Sequence, residues 1–165
     1  MNNPDTAITM QTQRHMIEKQ DSQAHLTTEA ILLRQTEDNL AIVKSTYEGQ
    51  NSAENARNLK QALAEDARWT EAAGFPYAGT YIGFSDIANN VFDRLGSEWD
   101  NYRVIIEDYV AQGNKVFAYG TYSGRYVKTG KTFSARVAHL WQLHQGKIIS
   151  FEQFVDSQSV INAMQ

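Results

Sequence analysis

The chain has 165 residues, enough for one domain with a single sizeable core. Its formal net charge is −4 and its lysines and arginines are scattered, so it lacks the basic stripe a nucleic-acid partner requires. It has no cysteine, which excludes disulfides, thiolate metal sites and a thiol nucleophile.

The opening residues, "MNNPDTAITMQTQRHMIEKQDSQ", lack the apolar segment of a secretory signal, and no apolar run approaches the roughly 18 residues of a membrane span. A cytoplasmic location without a membrane partner is expected. Residues 1–25 are polar and weakly periodic, and read as a leader, either disordered or an extra helix, ahead of one domain over 26–165. From Leu26 the pattern is helical, with Leu33, Leu40, Val43 and Tyr47 on one stripe. Thr27 or Thr28 offers an N-cap and Gly49 a stop. Asn51 and Glu54 resemble a capping box for a second helix whose stripe is Ala56, Leu59 and Leu63.

The period then changes. "ARWTEAAGFPYAGTYIGF" has strand formers broken by Gly74 and Pro76, which predicts two short strands around a turn. Ser85 can cap a third helix with Ile87, Val91, Phe92 and Leu95 on its inner face, and Gly96 can end it. Strands near 100–111, 115–127, 132–144 and 147–155 follow, joined by "QGN", "KTGK" and "HQGK". Links this short force antiparallel neighbours. Asp156 can cap a final helical turn. The class is α+β: a cone-shaped, curved antiparallel meander wrapped around three helices, with an apolar interior where a ligand would go.

Phosphate-cradle and nucleophile-elbow motifs are missing, and His15, His25, His139 and His144 lack metal-ligand spacing, so no metal and no cofactor are expected. Two polar groups stand on otherwise apolar strand faces. His139 interrupts the row Phe133, Ala135, Val137, Trp141, Leu143, and Glu71 falls on the side of Trp69. A carboxylate beside an indole in a poorly hydrated pocket has its pKa raised towards neutrality, which suits a general base. A histidine in the same cavity could donate to a carbonyl oxygen that becomes an enolate. The plainer alternatives are a hydrogen-bonded core histidine and a solvated carboxylate at a strand end.

Taken together, "ALAEDARWTEAAGFPYAGTYIGFSDIANNVF" and "TGKTFSARVAHLWQLHQGKIISFEQFVDSQSV" resemble the SnoaL-like, ketosteroid-isomerase-related branch of the nuclear transport factor 2-like superfamily over roughly residues 30–165. The resemblance rests on Glu65-Asp66 then Trp69, on Gly79 to Gly83, on Gly146-Lys147-Ile148, and on Phe154 then Asp156. It implies a cone with an apolar cavity, a homodimer formed through the sheet, and Glu71 and His139 at the catalytic positions. The tyrosine that ketosteroid isomerases carry on the first helix is replaced by Ile42, counting back from Gly49. A His–Glu pair is closer to the family's polyketide cyclases.

The expected function is acid/base proton transfer on a small apolar or carbonyl-containing metabolite, of isomerase, cyclase or dehydratase type. Glu71 and His139 would be catalytic; Trp69, Tyr81, Trp141, Tyr47, Glu152 and Phe154 would contact the substrate. One alternative is a non-catalytic ligand-binding or dimerisation module. The other is an epoxide-type hydrolase, which needs two acids flanking an arginine in the cavity; Arg103 and Arg136 are the candidates, and alternation puts Arg136 opposite His139.

Overall fold

The computed structural model describes residues 4–165, with side chains from residue 13 onward. The first helix runs past the proposed caps: α1 covers Pro4–Ser45, and the hydroxyls of Thr27 and Thr28 donate to the carbonyls of Gln23 and Ala24. Bonding to the carbonyl four residues back is what these side chains do inside a helix, not at its start. Of the expected stripe, Val43 is buried while Leu33 is exposed, and Tyr47 lies beyond the last helical residue. The chain forms two units, residues up to Gln35 and Thr36–Gln165. The sheet and the pocket described below belong to the second.

Asn51 caps α2 (Ser52–Ala62) by accepting from the Glu54 amide at 3.0 Å. This helix buries no residue completely: Ala56 is exposed, Leu59 is half-buried, and Leu63 already belongs to the next strand. The strands are β1 (Leu63–Glu71), β2 (Gly79–Ile82), β3 (Trp99–Gln112), β4 (Lys115–Tyr126), β5 (Thr132–His144) and β6 (Lys147–Val155). They form one sheet in the order β2-β1-β6-β5-β4-β3. The hairpin links make β3 to β6 antiparallel, as expected. β1 lies parallel to β6, so the sheet is mixed, with β2 and β3 as its open edges.

Between β2 and β3 the chain is helical throughout, as α3 (Gly83–Ile87), a π-helical turn (Ala88–Phe92) and α4 (Asp93–Glu98). Ser85 and Gly96 fall inside these helices. The start is instead held by Asp86, whose carboxylate accepts from the Ile82 amide at 2.9 Å. The wider π turn brings Val91, Phe92 and Leu95 together on the inner side. Asp156 caps α5 (Ser157–Met164) by accepting from the Ser159 amide at 3.2 Å.

Two glycines are required by close approach. A Cβ on Gly120 would lie 1.9 Å from the Ile105 carbonyl oxygen, where β3 bulges between Ile106 and Asp108 and the sheet bends. Gly83 has φ +74°, and a Cβ there would sit 2.6 Å from the Glu65 oxygen. The bent sheet buries the predicted row of β5, Phe133 to Leu143 on alternate residues. Its core has two aromatic clusters, one around Trp69, Trp141 and Phe151, the other around Trp99, Tyr122 and Phe133.

Candidate functional site

A pocket of about 230 Å³ draws its walls from both clusters, including Tyr47, Trp69, Glu71, Tyr102, Tyr122, His139, Trp141, Phe151 and Gln153. Glu71 ends β1, two residues from Trp69 on the same face. The Trp69 indole N–H donates to Glu71 Oε1 at 2.6 Å. Glu71 Oε2 is buried with no hydrogen-bond partner. Burial raises this carboxyl from 4.5 to about 7, against the smaller opposing pull of the indole. An acceptor oxygen in this state can take a proton near neutral pH and give it back.

His139 is 3% exposed, and both of its ring nitrogens are occupied. Nδ1 lies 2.5 Å from Tyr47 Oη and Nε2 lies 2.6 Å from Tyr122 Oη. Burial lowers its pKa from 6.5 to about 3, so the ring is neutral at pH 7. Tyr47 Oη also accepts from the Trp141 indole at 3.0 Å. Tyr122 Oη accepts from the Gln153 amide at 3.3 Å, and Gln153 Oε1 accepts from the Ala72 amide at 3.2 Å, which fixes which end of the side chain faces the tyrosine. The Tyr102 ring centroid is 5.3 Å from that of Tyr122, and its buried hydroxyl lies close enough to the Tyr122 hydroxyl to act on it but makes no hydrogen bond of full geometry. Burial pushes the pKa of all three phenols up, so they remain protonated.

The structure brings Glu71, His139, Trp69, Trp141 and Tyr47 to one pocket. Tyr47 arrives there because α1 stops at Ser45: the Tyr47 amide bonds to the Lys44 carbonyl in a turn, so its azimuth on a continued helix is irrelevant. Tyr81 is not among the lining residues; it packs against the core and donates to the Tyr77 carbonyl at 2.9 Å. Glu152 and Phe154 point away from the pocket. They are exposed and pair with Leu140 and Ala138 on the outer face of the sheet.

The reason is a bulge. Leu143 pairs with Ile148 but Trp141 pairs with Phe151, so β6 spends one extra residue and its parity flips. The inward residues are Ile148, Phe151 and Gln153. Counting from Phe151 instead of Ile148 would have found Gln153, which period-two reading missed. Tyr102 was missed as well, one residue beyond Asn101, where a φ of +53° interrupts the strand. Arg136 is paired with Glu107 on the exposed side, and no arginine is among the described lining residues. The epoxide-type reading therefore lacks its cation. Among the described residues no three histidine or acidic side chains come together as a metal site.

The model of the SnoaL-like domain matches residues 43–151. The chain belongs to the SnoaL-like family. A solved nuclear transport factor 2-like protein from Burkholderia thailandensis E264 is 42% identical, with a TM-score of 0.73 over 77% of this chain and 97% of that one. TerC, co-crystallised with polyporic acid, is 18% identical with a TM-score of 0.67, over 77% of this chain and 98% of that one. A Catenulispora acidiphila DSM 44928 protein of ketosteroid isomerase-like fold, in complex with trimethylamine, is 19% identical with a TM-score of 0.61, over 76% and 90%. At these identities the last two show the SnoaL-like chain's fold and no more. No curated protein matches it in sequence. Among the described residues no helix is long and apolar enough to cross a membrane.

Proposed function

We propose that this SnoaL-like protein binds a small, mostly apolar carbonyl compound and moves a proton at the carbon beside the carbonyl. The observation that carries the reading is the free, buried Oε2 of Glu71 in a pocket that also holds phenolic donors. Glu71 takes the C–H proton, the electron pair passes to the carbonyl oxygen, and hydrogen-bond donors stabilise the resulting enolate. Return of the proton to another carbon makes an isomerase; attack of the enolate carbon on a second carbonyl makes a cyclase. The pocket is smaller than the roughly 300–1,000 Å³ common for drug-sized ligands, which favours a compact guest. That fold relatives were crystallised with polyporic acid and with trimethylamine supports a small-molecule guest.

The test is a pH–rate profile on small ketones and enol ethers. The rising limb should have its midpoint at about 7 and should vanish in Glu71→Gln. Turnover unchanged in that variant sinks the proposal. A second reading, a binding module without turnover, is favoured by the full engagement of both His139 nitrogens. It predicts saturable binding with no proton exchange at the bound ketone.

A second copy of the chain is the proposed partner of the outer sheet face. There Val110, Phe117 and Leu140 form a cross-strand row, with Val110 and Phe117 exposed at 62% and 37%. Phe117→Glu should convert a dimer to a monomer in sedimentation; a wild-type monomer would refute this.

A further inference from the structure

The polar row beside the pocket holds one proton more than its contacts use. Tyr47, neutral His139 and Tyr122 carry two O–H protons and one N–H, and they make two contacts in series. Two arrangements satisfy the row. In the first, Tyr47 donates to Nδ1 and Nε2–H donates to Tyr122, whose own proton is then free. In the second, Tyr122 donates to Nε2 and Nδ1–H donates to Tyr47, leaving the Tyr47 proton free.

The surroundings decide between them. Tyr47 Oη already accepts the Trp141 indole, and its phenolic neighbour is Tyr109, with ring centroids 6.3 Å apart and a buried hydroxyl that, like that of Tyr102, makes no hydrogen bond of full geometry. The phenols therefore do not separate the two ends; what does is charge, since no carboxylate is among the groups acting on Tyr47. Tyr122 has the Tyr102 hydroxyl beside it and feels Glu71 as the strongest nearby charge. A carboxylate attracts a free O–H to that end of the row. The first arrangement is therefore the lower in energy, and it leaves the Tyr122 proton free for the pocket, with the Tyr102 hydroxyl beside it.

We infer that a guest's oxygen is held between the hydroxyls of Tyr102 and Tyr122, with His139, as its Nε2–H tautomer, a positioning residue that keeps the Tyr122 proton free for it. This rests on the proton-transfer reading only for the kind of guest, a carbonyl whose oxygen gains charge as Glu71 takes the proton. It also sets a specificity: a guest of the same shape without an acceptor oxygen leaves both phenols unsatisfied in a dry site, and is rejected.

The experiment uses the full chain. Nitrogen–proton correlation spectra of the histidine rings at pH 7 read the His139 tautomer, and absorbance titration with 4-nitrophenol reads binding of a compact oxygen donor-acceptor. Expected are the Nε2–H tautomer, saturable binding by wild type, and about tenfold weaker binding in each of Tyr102→Phe and Tyr122→Phe. The Nδ1–H tautomer, a protonated ring, no binding by the folded wild-type chain, or wild-type affinity in both Phe variants overturns the inference. Neither readout requires turnover. A protein that passes both yet processes no ketone refutes the proton-transfer reading alone, while one that fails here and still loses turnover in Glu71→Gln refutes only the phenol pair.

Discussion

Glu71→Gln should steepen the loss of stability on acidification relative to wild type. In the folded chain Glu71 holds its proton up to about pH 7, whereas 4.5 is the ordinary value an unfolded chain would show. Its contribution to stability is therefore full below pH 4.5 and is lost as the pH rises through 7, at about 1.4 kcal/mol per pH unit, or about 3 kcal/mol in all. His139 runs the other way. It stays neutral in the fold down to about pH 3, while the unfolded chain takes up its proton near 6.5. Its contribution is present above 6.5 and is lost on acidification at the same rate. Between pH 4.5 and 6.5 the two slopes cancel. Gln keeps an oxygen for the Trp69 indole and removes the ionisation, so only the histidine slope remains. Relative to wild type, the variant should lose about 3 kcal/mol between pH 6.5 and 4.5 in urea unfolding. The unpartnered amide of Gln shifts the whole curve and leaves its slope unchanged, and every other carboxylate cancels in the difference. Parallel curves for the two proteins would refute the reasoning and mean that Glu71 ionises like a solvated carboxylate.

Other consequences are equally direct. Trp69→Phe removes the indole that holds the Glu71 pKa down, so the carboxyl should titrate at higher pH than in wild type, read by carbon NMR. Gly120→Ala should cost about 3 kcal/mol or more, because its Cβ meets backbone that must move. Gly113→Ala, with open space but φ +58°, should cost about 1 kcal/mol; equal losses in urea unfolding would deny the close approach. Glu152→Ala and Phe154→Ala should leave 4-nitrophenol binding unchanged, while Gln153→Leu weakens it by freeing Tyr122 from its amide anchor.

Most of the fold was legible because its signals are local. Hairpin links of a few residues, alternation along β5 and the Asn51 and Asp156 caps each depend only on neighbours in sequence. The parallel pairing of β1 with β6 was not legible, since nothing in either strand records the direction of a partner far along the chain. Helix ends were misread at Thr27, whose hydroxyl bonds back to the Gln23 carbonyl within an exposed stretch of helix, and at Ser85 and Gly96, where the π turn joins two short helices through residues that could have stopped them.

The candidate site divides on the same line. Glu71 and His139 stood out because a polar side chain breaks an apolar alternation, and the face each occupies follows from parity. Glu152 and Phe154 alternate with Ile148, which left either face open to them, and they lie on the outer side because a bulge in β6 adds a residue that leaves no mark in "KIISFEQFV". The roles of Tyr47, Tyr102, Tyr122 and Gln153 depend on hydroxyl and amide geometry across four segments, which no spacing rule contains.

The most direct measurement is the carbon NMR titration of the Glu71 side-chain carboxyl in the intact chain. A buried base facing the pocket should titrate with a midpoint at about pH 7. A midpoint at the ordinary 4.5 would mean that the carboxylate is hydrated, and the proton-transfer site would fall with it.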